Sequence, residues 1–217
     1  MLYLKQMKRK SINNNPVILV ITYIANMTVL NMLFIITSIP IFTIGAAWSS
    51  MFSVARELGK GDTYIVTSYF KYFKEQFKQS TKCWIIIMLI LLVFYFEWVL
   101  LSHLTIEVPF YVYAFMIIPL LFLSIYIPWV LIQSSYFTCT LKQQFMNAFI
   151  FQVKFVPQSI VILVFVLFPV LTFLFRPDVF LFSWPLWLFL YFAITSSCIA
   201  AITRIPFSHI VEQFKNN

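Results

Sequence analysis

Residues 17–39 read VILVITYIANMTVLNMLFIITSI, 23 positions without a charged side chain. A helix of about 20 apolar residues spans the roughly 30 Å hydrocarbon core of a bilayer. A secretory signal has a shorter core of about 7–15 residues, followed by a small-residue cleavage site. The stretch ends instead at Pro40, so it reads as a retained first span. Four comparable stretches follow: 84–104, 110–133 with Pro119 and Pro128 inside it, 159–175 with Pro169, and 179–203. Prolines are tolerated in such helices because neighbouring helices and hydroxyls satisfy the freed carbonyls. The whole chain of 217 residues agrees: 62% is hydrophobic and 10% charged, with a mean hydropathy of +0.91. Soluble domains run at about 45–50% apolar and about 25% charged. The expected fold is therefore an all-α, polytopic transmembrane helix bundle forming a single domain over 1–217.

A weaker stretch at 41–58, IFTIGAAWSSMFSVAREL, is rich in small residues and carries Arg56 and Glu57 near its end. If it does not cross, the bundle has five spans; if it does, six. Lys and Arg concentrate in cytoplasmic loops and set orientation. With six spans, 14 of the 15 basic residues share one side: Lys5, Lys8, Arg9 and Lys10; the segment from Arg56 to Lys82; Lys142 and Lys154; and Arg204 and Lys215. Only Arg176 lies opposite. With five spans, one basic terminal tail must be translocated. Charge therefore favours six spans with both termini cytoplasmic, and it also accounts for the net charge of +8 without nucleic acid as a partner.

The connection 59–82 is the most structured. Gly59 and Gly61 interrupt the helix, Asp62 can cap the next one, and residues 63–82 read TYIVTSYFKYFKEQFKQSTK. At about 100° per residue, Val66, Tyr69, Phe70, Phe73 and Phe77 share one face. Lys71, Lys74, Lys78 and Lys82 occupy another. An amphipathic, basic and aromatic helix of this kind lies along a membrane surface among lipid headgroups, or offers a cytoplasmic docking surface. A fainter echo, LKQQFMNAFIFQVKFVPQS, precedes the fifth span at 141–159.

Catalytic constellations do not emerge. Glu97 is the one acidic residue well inside an apolar span, and intramembrane carboxylates are candidates for proton or cation handling. It sits toward the outer edge of its span beside Trp98, which suits an interface. Gly59-Lys60-Gly61-Asp62 matches the GxGD string of intramembrane aspartyl proteases, but that chemistry needs two carboxylates facing one another. The other aspartate, Asp178, belongs to the opposite side. His103 and His209 fall on opposite faces, and Cys83, Cys139 and Cys198 lack metal or disulfide spacing. No phosphate-binding loop or dinucleotide fingerprint is present. The expectation is a protein that is not an enzyme and has no cofactor or metal, with membrane lipids as its first partners.

Pro40, Thr43, Gly45 and Ala46 end the first span in a Pro–x–x–Thr–x–Gly–Ala pattern. A small-residue helix, a Gly-rich turn and a Phe/Lys-rich helix ending in EQFKQS at 75–80 follow. This order resembles the N-terminal half of the YesL-like family of bacterial integral membrane proteins, most strongly over 31–81. Gln76 stands where that family's pattern has Asn. The resemblance implies a bacterial inner-membrane protein of unknown activity, associated with carbohydrate uptake systems of the ATP-binding-cassette type. An accessory or regulatory role beside such a sugar transporter is the leading expectation. A small independent transporter, acting as a homo-oligomer with Glu97 and the proline-bearing spans on its path, is the alternative. A third is a membrane organiser acting through the basic helix.

Overall fold

The computed structural model describes residues 16–58, 64–103, 109–137 and 139–215, with the backbone alone at 19, 205, 206 and 208–215. The basic tail with Lys5, Lys8, Arg9 and Lys10, the turn with Gly59, Lys60, Gly61 and Asp62, and the loop at 104–108 lie outside the described residues. The described residues form helices and short connections. In chain order these are α1 (Pro16–Ser38), a 3-10 turn (Ile41–Thr43), α2 (Ile44–Glu57), α3 (Ile65–Ser102), α4 (Phe110–Ser134), α5 (Leu141–Lys154), α6 (Val156–Phe175), α7 (Pro177–Phe182) and α8 (Trp184–Leu186). A π-helical turn (Trp187–Tyr191) then leads into α9 (Phe192–Lys215).

Five helices are long and apolar enough to cross a bilayer: α1, α3, α4, α6 and the run Trp184–Arg204. The protein is an all-α membrane helix bundle. The stretch 41–58 folds as the 3-10 turn and the 14-residue α2, about 21 Å of helix at 1.5 Å per residue. Five helices thus have the length of a full span, and the shorter 41–58 segment is the one on which five or six crossings turn.

The boundary expected near residue 83 does not exist. α3 runs for 38 residues through the basic–aromatic segment and the apolar segment alike, roughly 57 Å of helix. No glycine or proline occurs between Ile65 and Ser102 to break it. A helix continuous with a span cannot turn to lie flat on the membrane, so the basic segment extends the span instead. The prolines of α4 and α6 also leave those helices uninterrupted.

Two apolar clusters form the core, and α2 belongs to both. In the first, Met27, Leu30 and Phe34 of α1 meet Ala47 and Met51 of α2, Ile65 and Tyr69 of α3, and Ala193 and Ala200 of α9. In the second, Phe52 of α2 packs with Cys83, Trp129, Phe151, Ile162, Ile199 and Phe207. Away from these clusters the spans leave Leu89, Val93, Phe96, Leu100, Phe115, Ile118 and Leu174 exposed. Lipid tails are as apolar as leucine, so nothing drives such faces together in a membrane.

Candidate functional site

The best-knit part of the molecule is the hairpin of α2 with the N-terminal half of α3. Gly45, Ala46, Ala47, Ser49, Ser50 and Ser53 are all buried in α2, and small residues let helix backbones approach closely. Gly45 takes this furthest: a Cβ there would lie 2.5 Å from Trp84 Cβ and 2.7 Å from the Ser80 carbonyl oxygen. From that contact the two helices run antiparallel, joined by a polar ladder. Ser80 Oγ donates to Ser49 Oγ at 3.0 Å, and Ser49 Oγ donates on to the Leu131 carbonyl of α4 at 3.1 Å. One turn along, Gln76 Nε2 donates to Ser53 Oγ at 2.7 Å, and beyond it the Tyr72 hydroxyl donates to Glu57.

The turn before α2 is held with equal care. Pro40 caps the 3-10 turn, and the Thr43 hydroxyl donates to the Pro40 carbonyl at 2.6 Å. Trp84 Nε1 donates to the Ile41 carbonyl at 2.8 Å. Pro40, Thr43, Gly45 and Ala46 therefore act structurally, setting the entry into α2 and its approach to α3. The Tyr69 hydroxyl pairs with Thr37 Oγ1 at 2.6 Å and reaches the Ala47 carbonyl at 3.3 Å.

The aromatic face of α3 is thereby divided. Tyr69 is fully buried, and Phe73 and Phe77 are half-buried in a ladder with ring centroids 6.2 and 5.5 Å apart. Only Val66 and Phe70 of the expected face remain exposed. Lys71, Lys74, Lys78 and Lys82 are all exposed. The face that periodicity assigned to lipid or a partner is largely taken by α1 and α2.

At the end of α2, Arg56 places its guanidinium carbon 4.2 Å from the Tyr136 ring centroid. Tyr136 in turn stacks on Phe207 at 4.2 Å and 6°. The cation sits over an aromatic face and at a helix C-terminus, and both settings favour it. A neutral polar set continues inward. Gln79 Nε2 donates to the Cys139 carbonyl at 2.9 Å and to Gln144 Oε1 at 2.7 Å. Trp129 Nε1 donates to Ser159 Oγ, and Ser159 Oγ to the Gln152 carbonyl, each at 3.0 Å. Among the described residues, Gln76 Oε1, Thr81 Oγ1, Gln133 Oε1, Gln152 Oε1, Thr195 Oγ1 and Ser196 Oγ are buried without a hydrogen-bond partner. Sequence reading passed over this set because its serines and glutamines come from segments far apart in the chain and form no recognised motif. The one available signal was the four-residue spacing of Ser49 with Ser53 and of Gln76 with Ser80.

Glu97 stands apart from all of this. It is exposed between the exposed Phe96 and Trp98, five residues before the end of α3. It does not face the bundle interior, where an intramembrane carboxylate exchanges protons or cations. Asp178 forms a two-bond ion pair with Arg176, 2.9 Å at its shorter contact, at the exposed start of α7. That partner holds its carboxyl below the usual range. Burial raises the pKa of the Cys139 thiol, opposed by Gln79, which disfavours the thiolate needed for nucleophilic work. No group of three or more His, Cys, Asp or Glu among the described residues is placed to hold a metal.

Residues 27–98 match a family described as "Protein of unknown function, DUF624". The matched segment begins in α1, contains all of α2 and its turn, and ends in the C-terminal part of α3. It therefore includes the whole hairpin with its polar ladder. No curated protein and no solved structure matches the chain.

Proposed function

We propose that this chain is a non-enzymatic accessory or regulatory membrane protein that receives a cytoplasmic partner on the basic face of α3. One observation carries the reading. Lys71, Lys74, Lys78 and Lys82, with Phe70 beside them, face outward from a helix whose opposite side is locked to α2 and whose axis continues into the membrane. A partner held there pushes or tilts a span directly. The resemblance to the YesL-like family supports subunits of an ATP-binding-cassette sugar transporter as that partner. Mild-detergent purification from the native host, with mass spectrometry of co-purifying proteins, tests this. Permease or ATPase subunits should accompany the wild-type chain. Neutralising the four lysines to Gln should slow capture by roughly tenfold or more, since charge steering acts on association rates. Phe70→Asp should weaken capture without loss of fold. A single homomeric species, indifferent to both changes, would end this reading.

The alternative, a small homo-oligomeric transporter, draws on the buried and unpartnered oxygens of Gln133, Gln152, Thr195 and Ser196. They are the groups that a polar, uncharged solute would satisfy. Substrate-dependent flux in proteoliposomes, lost on Gln133→Leu, would favour it.

For placement, the resemblance supports a bacterial inner membrane, and the charge distribution supports cytoplasmic basic segments with both termini on that side. This arrangement requires 41–58 to complete a sixth passage. A cysteine replacing Gln6, in a cysteine-free background, should then resist impermeant reagents added outside. Labelling at that position would leave five crossings and a translocated basic tail.

A further inference from the structure

We infer that the C-terminal half of α3 is a docking face within the membrane, filled by a transmembrane helix of another protein that sets a Lys or Arg against Glu97. Positions 83–96 carry no charge. The fifteen steps from Lys82 to Glu97 rise about 22 Å, short of the roughly 30 Å hydrocarbon core. With Lys82 at the near boundary, Glu97 therefore lies about 8 Å inside the far one. Helical side chains lean toward the N-terminus of their helix, which in α3 is the basic end. Glu97 thus leans deeper into the membrane and not out toward the headgroups. It is exposed on the outside of the bundle and makes no ion pair among the described residues. Charged side chains at such depth pair with a partner, and this bundle supplies none.

The surface around Glu97 has the form of a helix-packing seam. Ile86, Ile90, Val93, Glu97 and Leu100 follow one another at spacings of four, three, four and three, and all are exposed. Side chains repeating every 3.5 residues interdigitate with those of a second helix. The bundle leaves this span the least covered of the five, with 6% of its most apolar stretch buried against 33% in α4. Isoleucine, valine and leucine accept lipid or a helix with equal ease, so the apolar members alone choose no occupant. Glu97 does, because one polar residue in a seam fixes register and partner. With the basic segments on the other side, Arg176 is the one Lys or Arg of this chain near that end, and Asp178 already holds it at 2.9 Å. A second copy would bring only another carboxylate, and two carboxylates at one site disfavour each other's charge. On the reading above, the basic helix belongs to the membrane subunit of the same partner that meets the lysine face.

The probe is a synthetic leucine-based transmembrane helix with one Arg about 8 Å from one end, five residues along the helix. It carries an acceptor fluorophore and is titrated into vesicles holding the donor-labelled full chain. Energy transfer should show binding roughly fivefold or more tighter than that of an all-leucine twin, the scale of one interhelical polar contact. Glu97→Gln, at an exposed position, should keep the wild-type thermal midpoint and bring the two probes toward parity. No preference for the Arg helix in the wild type would overturn the proposal, as would a preference unchanged in Glu97→Gln. Efficient cross-linking between copies through Val93→Cys, with Cys83, Cys139 and Cys198 replaced, would put a second copy in the seam and refute the heterologous helix. Replacing Lys71, Lys74, Lys78 and Lys82 by Gln should leave the Arg-helix preference intact, so the seam and the lysine face stand or fall separately.

Discussion

Gly45→Ala is expected to destabilise the protein by about 1–3 kcal/mol, the usual cost of forcing an extra carbon into a packed interior. The added methyl group would fall 2.5 Å from Trp84 Cβ and 2.7 Å from the Ser80 carbonyl oxygen. Neither neighbour gives way easily. Ser80 presents backbone, and Trp84 is anchored by its indole to the Ile41 carbonyl. Relief requires α2 and α3 to separate, which pulls apart the Ser49–Ser80 and Ser53–Gln76 bonds together. Thermal unfolding in detergent should show a clearly lowered midpoint for Gly45→Ala and a larger loss for Gly45→Val. Wild-type midpoints for both would show that the hairpin is not packed as described.

Asn31→Leu is expected to cost about 2–6 kcal/mol, since it keeps the side-chain shape and removes every polar bond. Asn31 is fully buried, and its Nδ2 donates to the Leu188 carbonyl at 2.6 Å while its Oδ1 accepts from the Ala193 N–H at 2.9 Å. Leu188 lies within the π-helical turn Trp187–Tyr191 and Ala193 two residues after it, where the regular helical bonding pattern is interrupted. The asparagine thus does for the turn what a neighbouring turn of α-helix would do. A buried backbone group left unsatisfied costs about 1–3 kcal/mol, and two are at stake. Thr28→Val on the same helix provides the control, because its hydroxyl bonds only the Ile24 carbonyl of its own helix. Equal stability of the two variants would remove Asn31 as the link between α1 and the final span.

The two largest effects thus fall on residues that sequence reading treated in opposite ways. Gly45 was conspicuous, one of three glycines in 217 residues and part of a family pattern. Asn31 stood unremarked within a long run free of charge. The difference is one of partner distance. Gly45 acts within a local hairpin whose spacing can be guessed, whereas Asn31 bonds residues more than 150 positions away. Periodicity likewise gathered Tyr69, Phe73 and Phe77 on one face of α3, but it could not say that α1 and α2 would occupy that face and leave Phe70 outside. Glu97 was legible as an unusual carboxylate, while its outward direction depends on how α3 is rotated in the bundle.

The amino-acid sequence by itself determined that the chain is helical and membrane-embedded, where the long apolar runs begin and end, and which segments carry the positive charge. Those properties follow from transfer free energies and backbone hydrogen-bonding needs, which add residue by residue. Tertiary structure alone decided that 41–58 is a buried helix clasped by the basic half of α3, and that this half is one rod with its span. Each outcome depends on which small residue meets which backbone and which amide finds which carbonyl. Such pairings are fixed by shape and geometry between distant segments, and no local sum of hydropathy contains them.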